Sequence, residues 1–142
     1  MSEARLHGTY DFSKVQLIFG TRQITGFENG TEIICERDED SFIKKTDVDG
    51  GVTRGRVNNS SGRVTFSLSQ YSEHNKYLQD LNNLDERTGA GVVPLKIVDR
   101  QNPSTELVIS LEAWIAKPSN KVYGTESGPR EWMIDCADLN FV

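Results

Sequence analysis

The chain has no long apolar run, and that absence is its first constraint. A mean hydropathy of -0.51 and a hydrophobic share of 36% require a core built from patterned strands, with no stretch fit to cross a membrane. Histidine occurs twice, as His7 and His74, and cysteine twice, as Cys35 and Cys136. No G-x-S-x-G elbow is present, so two histidines and scattered serines do not make a nucleophilic triad. The cysteines stand far apart in strand-like apolar runs, outside any C-x-x-C pair, and read as buried free thiols. Basic residues are also short: 16 Lys and Arg against 21 Asp and Glu leave a net charge of -5. Such a chain is not built to grip phosphate backbones. Residues Met1 to Tyr10, with Glu3, Arg5 and His7, carry no apolar stretch of export-signal length, so the protein is expected to act in the cytoplasm or to leave the cell by lysis.

What is present is β patterning. At 142 residues one domain, 1–142, is expected. Val15, Leu17 and Phe19 alternate within a strand expected from Tyr10 to Phe19, and Gly20 ends it. Thr21 to Phe27 forms a second short strand, and Asn29-Gly30 turns the chain. Thr31 to Arg37 sends Ile33 and Cys35 to one side and Glu32, Ile34 and Glu36 to the other. Phe42 to Asn59 is too polar to be core and reads as a long hairpin or extended loop around Asp47-Val48-Asp49-Gly50-Gly51. Gly62 to Gln70 is the cleanest alternation, with Val64, Phe66 and Leu68 inward.

A helix is expected over about Ser72 to Glu86. Ser72 is its N-cap, and Tyr77, Leu78, Leu81 and Leu84 recur at helical spacing. Three more strands follow, Val92 to Asp99, Glu106 to Lys117 and Arg130 to Phe141, separated by loops at Arg100 to Ser104 and Pro118 to Pro129. The expected core is Val64, Phe66, Leu68, Leu78, Leu81, Trp114 and Trp132. The fold class is mainly β, a sandwich or small barrel with one flanking helix and an extended polar loop.

Candidate chemistry is thin. His7 lies in the terminus and His74 in the first helical turn beside Glu73 and Asn75, so a solvated helix face is expected for it rather than a catalytic base. Asp47-Val48-Asp49-Gly50 resembles the start of a calcium loop, but Gly51 and Asn58 stand where oxygen ligands are needed. Glu36, Asp38, Glu39 and Asp40 fan apart in a loop as a solvated charge run. Arg54, Arg56 and Arg63 lack the interleaved aromatics of a nucleic-acid surface, and are better matched to carboxylates of a neighbouring subunit. No cofactor and no metal is expected, and no enzyme. An alternative is a monomeric ligand-binding β-sandwich using Tyr71, Tyr77 and Tyr123 as its platform.

Asp47-Val48-Asp49-Gly50-Gly51-Val52-Thr53-Arg54, then Arg56-Val57-Asn58-Asn59-Ser60-Ser61-Gly62, Val64 to Leu68 and Gln70-Tyr71-Ser72-Glu73-His74-Asn75 resemble the tail tube (inner tube) proteins of contractile-tailed bacteriophages. The opening Tyr10-Asp11-Phe12-Ser13, with Val15 to Gly20 and Ile24-Thr25-Gly26-Phe27, is similar to the start of that family. The resemblance implies the family's β-sandwich-like barrel, shared with type VI secretion tube proteins, and hexameric rings stacked into a tube inside a sheath. It also implies strand edges joined between subunits. Ring stacking would fall to a loop bearing Lys44, Lys45, Asp47, Asp49, Gly50, Gly51, Arg54, Arg56, Asn58 and Asn59. The implied partners are other copies of the chain, with sheath, baseplate and terminator proteins, while genomic DNA transits a negatively charged lumen without specific binding. The implied location is the virion tail, with assembly in the host cytoplasm. A type VI secretion tube subunit is the neighbouring alternative.

Overall fold

The computed structural model describes residues 4–101 and 105–142. Its strands are β1 (Val15–Phe19), β2 (Arg22–Ile24), β3 (Ile34–Arg37), β4 (Phe42–Thr46), β5 (Val52–Arg56) and β6 (Gly62–Ser69). After helix α1 (His74–Thr88) come β7 (Val93–Asp99), β8 (Glu106–Ile115), β9 (Pro129–Cys136) and β10 (Asn140–Phe141). The main sheet runs β2-β1-β7-β8-β9-β6-β3, with β10 also on β8, while β4 and β5 form a separate two-stranded ribbon. The expected loop at Arg100 to Ser104 falls partly on 102–104, outside the described residues.

The two ends of that strand order are parts of one stretch of chain. β2 pairs with β1, and three residues later Phe27 bridges to Leu68 of β6. Ser69 donates its N–H to the Gly26 carbonyl at 2.8 Å, and Glu28 donates to the Ser67 carbonyl at 3.0 Å. Farther along, Ile34 to Arg37 continue on the same side of β6. Residues 22–37 therefore lie between β1 and β6 and bend the sheet round toward a barrel. Gly26 holds φ +78° at the crossing, a left-handed conformation in which a side chain is strained.

The core fills this curved sheet. Val64, Phe66 and Leu68 are at most 1% exposed, each contributing about 1.5–3 kcal/mol relative to an exposed side chain. Leu17, Phe19, Ile24, Leu95, Ala113, Ile115, Trp132 and Ile134 join them. Trp114 departs from expectation: Ala113 and Ile115 point inward, so strand alternation turns Trp114 to the other face, where it is half-buried. Leu81 is half-buried at the margin of the helix's inner stripe, which is His74, Leu78 and Asn82.

Several expected boundaries move: the strand expected from Thr31 begins at Ile34, and the one expected over Thr21 to Phe27 shortens to Arg22–Ile24. β1 begins at Val15 because Asp11 caps a 3-10 turn over Phe12–Lys14, its carboxylate accepting from the Ser13 N–H at 3.0 Å and hydroxyl at 2.6 Å. The helix starts at His74, two residues after Ser72, whose hydroxyl donates to the Thr25 carbonyl at 2.8 Å instead of acting as a full cap. It runs on to Thr88, where Gly89 (φ +73°) ends it in left-handed geometry.

The strand expected from Arg130 to Phe141 is broken in two. Its register on β8 is the same before and after the break, Ala113 facing Cys136 and Ile109 facing Asn140. At the break Leu139 turns fully inward, and its N–H reaches the Ser60 carbonyl at 2.7 Å. Gly62 makes room for it, since a Cβ there would stand 2.7 Å from Leu139 Cδ2 and 2.6 Å from the Glu36 carbonyl.

Candidate assembly surface

The polar segment folds as an ordered hairpin arm. β4 and β5 pair in full register, Phe42 opposite Arg56 through Thr46 opposite Val52. The tip closes with Asp47 donating to the Gly51 carbonyl at 2.7 Å and Gly50 donating to the Asp47 carbonyl at 3.0 Å. Every residue from Phe42 to Arg54 is exposed, including the apolar side chains of Phe42, Ile43, Val48 and Val52. A lone two-stranded hairpin is marginal in water. Here Arg54 lies 4.0 Å and Arg56 5.8 Å from the Phe42 ring centroid, which steadies the stem.

Charge on the arm is segregated. Lys44 sits directly opposite Arg54, with Lys45 beside it on β4, an arrangement that like-charge repulsion disfavours. Asp47 and Asp49 occupy the tip. None of these six charged side chains, Arg56 included, has an ion-pair partner among the described residues. Gly50 and Gly51 shape the tip turn. Asn58 and Asn59 lie in the segment after β5, where Asn59 Oδ1 accepts from the Ser61 N–H at 3.1 Å. Ser61 in turn donates to Asp38 at 2.8 Å and anchors the acidic run at the arm's base.

A second feature is the cleft left where the barrel does not close. Among the described residues β3 has one strand neighbour, β6. Beside β3 lies a cleft of about 990 Å³ whose walls include Phe12, Val15, Phe27, Ile33, Cys35, Ile97 and Val108, together with Glu28, Glu32, Asp99 and Glu106. Phe27 stacks edge-on between Phe12 (5.3 Å) and Phe66 (6.0 Å), so the cleft floor is continuous with the core. Burial pushes the Cys35 thiol up to about 11. Cys136, equally free, is also pushed to about 11 by burial. Cys35 faces Val64 and Cys136 faces Gly62 on opposite sides of β6. Strands one apart are separated by about 9.5 Å, beyond the roughly 7 Å that a disulfide spans.

Among the described residues no group of three or more His, Cys, Asp or Glu is placed to hold a metal ion. His74 corrects the expectation of a solvated residue: it is buried, and its Nε2 lies 3.0 Å from Thr25 Oγ1, holding the helix start to the chain after β2. The three tyrosines of the platform reading part company. Tyr77 donates its hydroxyl to the Phe19 carbonyl at 2.9 Å and carries Arg22 over its ring at 4.6 Å, which commits it to holding the helix. Tyr71 is exposed, and Tyr123 packs near Arg130. Sequence reasoning missed the cleft altogether, because its walls come from four separated segments. It also missed the buried Arg130.

Comparison with known proteins gives a consistent picture. The model of the family described as bacteriophage PhiTE tail tube protein matches residues 9–142. A curated relative, "Structural protein ORF10" of Pseudomonas phage KPP10, is 29% identical over 118 residues, spanning 83% of this chain and 68% of that protein. Among solved structures, a chain from the sheath-tube complex of the PVC extracellular contractile injection system superposes with a TM-score of 0.62 at 13% identity, covering 94% of this chain and 91% of that one. A chain from the sheath/tube terminator structure of the same system gives 0.61 at 13% identity, covering 94% and 96%. The tube-terminating cap of the anti-feeding prophage gives 0.56 at 10% identity, covering 99% and 95%. At such identities these likenesses establish a shared fold, while the match along 9–142 establishes kinship: the chain belongs to the bacteriophage PhiTE tail tube protein family.

Proposed function

We propose that the chain is the subunit of hexameric rings that stack into the inner tube of a contractile phage tail, through which the genome is delivered. The observation that carries this reading is the hairpin arm of Phe42–Arg56, ordered and exposed, with cationic stem residues that have no acid partner among the described residues. Such an arm gains its stability from a surface outside its own chain. The free side of β3 and the apolar cleft beside it are the matching feature, where a strand from a neighbouring copy can extend the sheet and close the ring. The arm then reaches the next ring, and Lys44, Lys45, Arg54 and Arg56 set the stacking register against carboxylates there.

The role is structural rather than enzymatic, and the negative charge of the chain keeps passing DNA from adhering to the lumen. Sheath, baseplate and terminator proteins are the expected further partners, with the virion tail as the final location and the host cytoplasm as the place of assembly. Replacing 42–56 by a short Gly-Ser linker tests the reading. The expected result is a domain that melts as the parent does and forms no stacked particles. Normal stacking without the arm would remove the central support.

A further inference from the structure

A pocket of about 380 Å³ opens between α1, the loop before β9 and β9 itself, on residues the tube reading leaves without a role. Arg130 lines it and is only 5% exposed. One of its terminal nitrogens donates to the Pro129 carbonyl at 3.2 Å, and its guanidinium lies 5.4 Å from the Tyr123 ring centroid. No carboxylate pairs with it among the described residues. A guanidinium offers five N–H donors, and a buried cation without a counter-ion is costly. Ser119 lines the same pocket, 7% exposed, with a buried hydroxyl that has no hydrogen-bond partner among the described residues. Lys121 and Lys76 also line it, and of the two only Lys76 has an ion-pair partner among the described residues, Asp80 at 2.9 Å.

We infer that this pocket receives a carboxylate side chain from a second copy of the chain, held by Arg130 and Ser119 and guided in by Lys121. The planar fork of an arginine matches a carboxylate's two oxygens, and the serine hydroxyl supplies a further donor. The occupant is a second copy because the chain carries an excess of acids, and Asp47 and Asp49, at the tip of the arm, have no ion-pair partner among the described residues. Five residues of paired strand lift that tip about 17 Å from its base. This deepens the assembly reading and rests on it.

The test uses the full chain in its assembled form. Carbodiimide, which joins an amine to a carboxylate in direct contact, is applied to particles made from mixed heavy- and light-isotope protein, and the joined peptides are identified by mass spectrometry. Lys121 joined to an acid of the other isotope is the expected result, with Asp47 or Asp49 as the acid. Lys121 left unjoined, or joined only within one copy, overturns the proposal. In parallel, Lys121→Glu raises the concentration needed for assembly by about tenfold or more, as expected for a charge reversed at a docking site, while Lys121→Arg restores it. Lys121 is exposed, so both variants fold. If Lys121→Glu assembles like the parent, the pocket has no such role and the tube reading stands. If the parent itself never assembles, both fall together.

Discussion

The indole N–H of Trp132 donates to the Asn75 side-chain carbonyl at 3.0 Å, and the amide nitrogen of the same Asn75 donates to the Ser69 carbonyl at 2.8 Å. One asparagine in the first turn of the helix thereby fixes α1 to the end of β6 and to the buried tryptophan of β9. The helix is positioned by these bonds, and by Tyr77 on Phe19, as much as by its apolar stripe.

Asn75→Leu removes both bonds and leaves the Trp132 indole N–H unsatisfied, which costs about 1–3 kcal/mol. Urea unfolding followed by tryptophan fluorescence measures it. A stability within about 0.3 kcal/mol of the parent would show that the helix is held by apolar contact alone.

Gly62→Ala places a methyl against the Glu36 carbonyl and Leu139, and overpacking of this kind costs about 1–3 kcal/mol. Gly124→Ala, whose Cβ would meet nothing closer than 3.9 Å, is the control and stays within about 0.5 kcal/mol. Thermal unfolding of the pair separates a steric requirement from a general loss of flexibility.

Both thiols, raised to about 11 by burial, are poor nucleophiles at pH 8, where about one in a thousand is ionised. Ellman's reagent is expected to react slowly with the folded protein and rapidly after denaturation. The linkage has a definite sign: the folded thiols hold protons that the unfolded ones, near 9.0, release. Their contribution to stability is whole below pH 9 and is lost as pH rises through 11. Cys136→Ala flattens that alkaline decline, as seen in urea midpoints between pH 8 and 11.

Arg63 and Asp135 pair at 2.8 Å across β6 and β9, with the arginine side chain about half exposed. An exposed pair of this kind contributes less than about 1 kcal/mol. Arg63→Gln is therefore expected to shift the unfolding midpoint little, and salt to shift it less still.

Much of the fold was legible because β6 is a strict two-residue alternation and the helix a single apolar repeat. The arm was legible through its lack of core residues. Trp114 was misplaced because its size suggested core, whereas the inward setting of Ala113 and Ile115 decides its face. His74 and Asn82 were hidden because polar residues extend the buried stripe that Leu78 centres. The break before β10 was invisible because it leaves the register on β8 unchanged. The cleft and the Arg130 pocket could not be read, since each is assembled from segments whose proximity depends on the sheet closing.

The most direct measurement of the central claim is electron microscopy of the concentrated wild-type chain, with rotational averaging of end-on views. The account predicts rings with sixfold symmetry that stack into hollow tubes. Monodisperse single copies at every concentration and salt tried, or closed dimers with no ring, would contradict it.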